Sequence, residues 1–104
     1  MDETLNDLAR ILTKHDHLGQ AEVVQQLLQG LRSGDRSSFP TLLQSVDMWG
    51  GSGAVWEVGD LGDDTRAFRQ AIIDLAAEMD KCGLGMERSR FVASTFAEWN
   101  RLGV

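Results

Sequence analysis

Apolar residues recur at three- and four-residue steps along almost the whole chain, and strict alternation never extends beyond a few positions. That spacing gives each segment one apolar stripe when wound as a helix and denies a strand a buried face. The chain is therefore confined to an all-α fold, a compact bundle-like array of about five helices in a single domain spanning residues 1–104. Leu5, Leu8, Ile11 and Leu12 predict a first helix over about residues 3–15, with Asp2 as its cap. After Gly19, a second runs to about residue 32 on Ala21, Val24, Leu27, Leu28 and Leu31, with Gly30 weakening its last turn. A third starts near Phe39, where Pro40 is tolerated in the first turn, and carries Phe39, Leu42, Leu43, Val46 and Trp49 on one face up to Gly50-Gly51. A fourth begins near Asp63-Asp64-Thr65, buries Phe68, Ala71, Ile72, Leu75, Ala76 and Met79, and ends at Gly83. The last covers about residues 87–102 and is expected to turn Val92, Phe96, Trp99 and Leu102 inward before Gly103. Short connections make sequential neighbours antiparallel.

One segment escapes this scheme. Residues 48–62 hold five of the eleven glycines, two of the three tryptophans and no base. Glycine at that density serves backbone of positive φ or close approach, and Val55-Trp56-Glu57-Val58 has the composition of a short strand. A lone strand cannot satisfy its own backbone. The alternatives are a hairpin within the loop, pairing with a second copy across a dimer axis, or a coil that lays Trp56 over the core. The coil and the hairpin are favoured.

With 104 residues there is material for one core, and seven aromatics argue for a packed interior. A single cysteine, Cys82, excludes an internal disulfide and suits a reducing compartment. The N-terminus lacks the features of a secretory leader and no apolar run suffices for a membrane span, so a cytoplasmic location is expected. The net charge of −6 is unevenly placed: residues 37–65 carry five acids and no base, whereas residues 66–104 carry five acids and six bases. A surface of this sign repels phosphate backbones and steers basic proteins toward it. Nucleic acid is thus excluded as the main partner.

Motifs that would carry chemistry fail on context. The Gly-rich turn has no Gly-Lys-Ser/Thr and is ringed by Glu57, Asp60, Asp63 and Asp64, which repel phosphate. His15 and His17 lie two apart, so a helix points them to different sides, and a solvated helix end explains them better than a metal site. The acids at 57, 60, 63 and 64 do not match a calcium loop; capping and solvation account for them. Cys82 has no nearby base in sequence and is expected to be buried as a small apolar group. Ser52 lacks the strand and sheet of a nucleophile elbow. No catalytic residue, metal or cofactor is assigned.

The stretch Trp49-Gly50-Gly51-Ser52-Gly53-Ala54-Val55-Trp56-Glu57-Val58 resembles the Gly-Gly-x-Gly-[Ser/Ala] segment of a family of small uncharacterised bacterial proteins of about this length. The resemblance covers a small part of the chain and implies a helical domain and a bacterial source, without an activity. The residues themselves favour a non-catalytic, inhibitor- or immunity-like interaction module that binds a basic protein. Its expected surface is Trp49, Gly50, Gly51, Ser52, Gly53, Trp56, Glu57, Asp60, Asp63 and Asp64, because aromatic anchors and complementary charge make binding hot spots. The alternatives are a small-ligand binder or enzyme with a pocket under residues 50–62, lined by Trp49, Trp56 and Ser52 with Glu57 or Asp60, and a structural homo-oligomer, such as a homodimer.

Overall fold

The computed structural model describes residues 1–104, and every regular element in it is helical. The α-helices are α1 (Asp2–Lys14), α2 (Leu18–Ser33), α3 (Ser38–Leu43), α4 (Val46–Trp49), α5 (Thr65–Lys81) and α6 (Glu87–Leu102), with 3-10 turns at Val55–Glu57 and Gly62–Asp64. No helix is long and apolar enough to cross a membrane.

The long helices stand side by side in the order α2, α1, α5, α6, and polar ties at their ends show each neighbouring pair to be antiparallel. Arg32 at the end of α2 donates from Nε to Asp2 at the start of α1 over 2.7 Å. The Met1 amino group meets Glu78 late in α5 at 2.9 Å, while His15 just past α1 meets Asp64 just before α5 at 2.9 Å. Arg66 early in α5 donates to the Asn100 carbonyl late in α6, and the Asn100 amide donates back to the Arg66 carbonyl. Between these ends lies one continuous core, in which Leu5, Leu8, Leu12, Leu27, Ile72, Leu75, Met79 and Val92 are buried. In α1 and α5 the stripes read from the sequence are the ones buried.

Three local expectations are corrected. The third helix is two helices, because Ser45 is extended (ψ 166°) and its hydroxyl donates to the Leu42 carbonyl at 2.7 Å, an alternative to continuing the helical ladder. The break rotates Met48 and Trp49 into the core and Val46 outward, where it is 79% exposed. In α6 the inward stripe is Ser89, Val92, Phe96 and Asn100, which leaves Trp99 at the edge and Leu102 exposed. Asp2 sits inside the first turn of α1 without a side-chain capping bond, its carboxylate engaged by Arg32. Arg32 holds its carboxyl below the usual carboxylate range, chiefly by that hydrogen bond.

At Gly30 inside α2 a Cβ would meet the Phe39 side chain at 3.4 Å, an ordinary van der Waals contact, so α3 packs directly over this turn of α2. The turn into α3 is held by Asp35, whose Oδ1 accepts the Ser37 and Ser38 N–H groups at 2.9 and 2.8 Å. Those two bonds keep the Asp35 carboxyl below its ordinary range.

Candidate functional site

Residues 50–62 cross from α4 to α5 as a coil, one of the favoured outcomes, and Val55–Glu57 is a 3-10 turn and no strand. With no strand partner at hand, the backbone closes on itself: Ala54 N–H donates to Gly51 O at 3.0 Å and Glu57 N–H to Ala54 O at 3.1 Å. Ala54, Val55 and Leu61 are buried and pin the crossover at both ends, while Gly51, Ser52, Gly53, Glu57 and Asp60 face solvent.

The two tryptophans of the crossover separate in role. Trp49 is 1% exposed; its indole N–H donates to Leu43 O at 2.8 Å, and its own carbonyl accepts from Arg88 Nε at 2.8 Å. It belongs to the core and is no surface anchor. Trp56 is half-buried, donates to Gly50 O at 2.7 Å, and carries the Arg88 guanidinium 5.3 Å from its ring centroid. One arginine of α6 thus clamps both ends of the Trp49–Trp56 segment.

Beyond Trp56 the crossover forms one wall of an open cleft of about 750 Å³ against α5 and α6. Trp56, Phe68, Phe96, Trp99 and Val104 make its apolar lining, and Glu57, Asp60, Thr65 and Arg69 its polar border. Phe96 lies edge-on to Trp56 at 6.0 Å and tilted on Trp99 at 5.6 Å, spacings within the attractive range for aromatic pairs. Arg69 covers the Phe96 and Trp99 rings at 5.9 and 5.1 Å, and its guanidinium donates to the Val104 carbonyl.

The acidic border is shaped by local hydrogen bonding. Gly59 and Gly62, at φ 82° and 60°, turn the chain on either side of Asp60 and Leu61. This lets Asp60 Oδ1 accept from Gly62 N–H at 2.9 Å and from the Thr65 hydroxyl at 3.1 Å, while Thr65 Oγ1 accepts the Leu61 N–H at 2.8 Å. The Gly62 bond, followed by that of Thr65, keeps the Asp60 carboxyl below its usual range. Glu57, Asp60 and Asp63 make no ion pair, so their charge is directed to solvent.

Asp64 behaves otherwise. Its Oδ2 takes Lys14 Nζ at 2.8 Å and His15 Nε2 at 2.9 Å, and these two donors, Lys14 first, hold its carboxyl below the ordinary range. It is not a side-chain cap of α5, and His15 is half-buried in a tertiary tie, where a solvated helix end was expected. Cys82, expected to be buried, is exposed at the end of α5. Cys82 is the C-cap of α5, where the backbone leaves the helix before Gly83.

Of the residues expected to form a surface, the structure assembles Trp56, Glu57 and Asp60 at the cleft. Gly51, Ser52 and Gly53 are exposed on a separate bend, tied to α2 by Gln20 donating to Gly53 O at 3.2 Å. The pocket imagined under the loop differs in lining: Trp49 and Ser52 take no part, and Phe68, Arg69, Phe96 and Trp99 replace them. Spacing alone puts Trp99 on the inward face one turn from Phe96; its place at the edge goes with Asn100 taking the inward position. No three His, Cys, Asp or Glu groups come together in a way that could hold a metal ion. No family model matches the chain, and neither a curated protein nor a solved structure shows significant similarity to it.

Proposed function

We propose that the chain is a non-catalytic binding module that captures a basic protein segment, with an apolar side chain of that segment seated in the Trp56–Phe96–Trp99 cleft. The observation that carries this reading is the cleft itself, an aromatic concavity bordered by the unpaired carboxylates of Glu57 and Asp60. Arg69 already occupies the faces of Phe96 and Trp99, so the cleft has its cation and needs an apolar anchor. Cationic side chains of the partner belong outside, against Glu57, Asp60 and the neighbouring Asp63.

Magnitudes divide the labour. A buried aromatic anchor is worth about 2 kcal/mol or more at a hot spot, whereas each exposed charge pair contributes about 0–1 kcal/mol and mainly speeds encounter. A cytoplasmic setting and a bacterial source fit the lone cysteine and the Gly-Gly-x-Gly segment.

The test uses synthetic peptides with a central Phe or Leu flanked by Lys, against the same peptides flanked by Glu, followed by intrinsic tryptophan fluorescence. Saturable binding of the Lys-flanked set, weakened by added salt and by Glu57→Lys with Asp60→Lys, is expected. Trp99→Ala should weaken it about tenfold or more without loss of helicity. Equal binding of both peptide sets would remove the charge argument, and none would remove the reading. The cleft volume also lies in the range of small-molecule sites, roughly 300–1,000 Å³. Fluorescence quenching by small aromatic carboxylates but not by peptides would favour that second reading.

A further inference from the structure

Helix α6 ends on a turn that brings the chain back to the cleft. Gly103 is left-handed (φ 75°, ψ 26°), and the N–H groups of Gly103 and Val104 both donate to Trp99 O, at 2.9 and 3.1 Å. A left-handed residue at this point closes the helix and redirects the backbone. Val104 is thereby set into the apolar lining of the cleft, beside Trp56, Phe68, Phe96 and Trp99.

Arg69 fixes it there from α5. The half-buried guanidinium lies over the Phe96 and Trp99 rings, and its one hydrogen bond goes to the Val104 carbonyl. Val104 thus offers the cleft the two groups a captured residue would bring, an apolar side chain beside the rings and a main-chain carbonyl on the arginine. Its hold is shallow. At 68% exposure the side chain stands at the mouth and fills little of the volume of about 750 Å³ behind it. A larger apolar side chain has room to take its place.

We infer that Val104 is an internal occupant of the cleft, held by Arg69, and that a bound segment displaces it, the anchor residue of that segment giving Arg69 a main-chain carbonyl in exchange. The inference deepens the partner-binding reading and rests on it for the competing segment. It makes Arg69 a specificity-determining group. An apolar compound with no acceptor beside its apolar part would displace Val104 without replacing the charge-assisted bond, and so would bind poorly. Competition has a measurable size: a site closed by its own chain nine-tenths of the time binds about tenfold more weakly than an open one. For an occupant as exposed as Val104 the expected effect is about two- to tenfold.

Two variants of the full chain that act in opposite directions test it. Gly103→Ala puts a Cβ into open space but at a φ that disfavours the turn about fivefold or more, which releases Val104. Val104→Phe supplies an internal anchor with more apolar surface. Without peptide, acrylamide quenching of tryptophan fluorescence should rise in Gly103→Ala and fall in Val104→Phe, because Trp56 and Trp99 line the cleft while Trp49 is buried. In the wild-type chain the Val104 amide should be as ordered by NMR relaxation as the last turn of α6. With the Lys-flanked Phe peptides, Gly103→Ala should bind about two- to tenfold more tightly and Val104→Phe more weakly by a similar factor. A Val104 amide as mobile as a free chain would overturn the inference. So would equal quenching, or equal peptide affinity, in all three proteins. Quenching in the expected order with no peptide bound by any of them would uphold the internal occupant and remove only the partner-binding reading, so the two fail separately.

Discussion

Trp49 offers the sharpest test of how the crossover is built, because its two polar atoms and its ring do different work. The indole N–H meets Leu43 O and holds α3 to α4, the carbonyl takes Arg88 from α6, and the ring fills the core at 1% exposure. Trp49→Ala removes the whole ring, a change that costs about 3–5 kcal/mol in a buried site. Against a total stability of about 5–15 kcal/mol for a domain, that variant should lose a large share of the folding free energy. Trp49→Phe separates the contributions. It keeps an aromatic ring, loses about 1 kcal/mol of apolar burial, and strips the donor from a buried carbonyl at about 1–3 kcal/mol. The sum, about 2–4 kcal/mol, corresponds to a fall in Tm of at least about 8 °C at 4–8 °C per kcal/mol for a domain near this size. Urea denaturation followed by far-UV circular dichroism reads the change directly, with the slope unaltered if only stability has moved. A Trp49→Phe protein with the wild-type midpoint would refute the core assignment. So would a Trp49→Ala protein that folds normally yet loses peptide binding, since that behaviour belongs to a surface anchor.

Two glycines give a paired prediction. A Cβ at Gly50 would lie 2.6 Å from the Val46 carbonyl oxygen, which is backbone, so Gly50→Ala should cost about 1–3 kcal/mol as an overpacked contact. At Gly85 the Cβ would fall still closer to a neighbour, but that neighbour is the Asp80 carboxylate, a side-chain end that can swing away and release its exposed pair with Arg90. Gly85→Ala should therefore cost no more than about 1 kcal/mol, and a reversed ranking of the two urea midpoints would contradict the packing described. The pH dependence of stability should reflect Asp64, whose carboxyl is lowered by Lys14 and then His15. A lowered folded-state value means that its stabilisation is complete above the ordinary carboxylate range and is lost as pH falls through the lowered one. The gap between wild type and Asp64→Asn should thus be widest near neutrality and close in acid; a gap independent of pH would sink the assignment.

The long helices were legible because their stripes are long and periodic: Leu5, Leu8 and Leu12 in α1 and Phe68 to Met79 in α5 bury what spacing says they should. Where the reading failed, a short-range polar interaction had overridden a periodic one. Ser45 splits the third helix by bonding Leu42 O, and nothing in the apolar spacing marks it apart from other serines. Asn100 takes an inward position in α6 because Arg66, distant in sequence, offers it both a donor and an acceptor. That exchange displaces Trp99 to the rim. The aromatic cleft was illegible for the same reason: it needs Trp56 from the crossover, Phe68 from α5 and Phe96 and Trp99 from α6, which meet only after the helices pack.

The way the crossover is fastened explains why its two halves differ as binding surface. From Ala54 to Thr65 it is held by buried Val55 and Leu61, by the Trp56 bond to Gly50, and by the Asp60–Thr65–Leu61 hydrogen bonds. Groups held this firmly lose little further freedom on binding, and that saving, at about 0.5–1.5 kcal/mol per side chain that would otherwise have to be ordered, favours the cleft half. The Gly51–Gly53 bend has one side-chain tie, from Gln20, and presents no large side chain of its own. It can adapt to a partner but has little with which to anchor one. Recognition therefore belongs to the rigid aromatic half with its carboxylate border, and the glycines serve mainly to let the chain reach that position from Trp49 while Arg88 holds both ends.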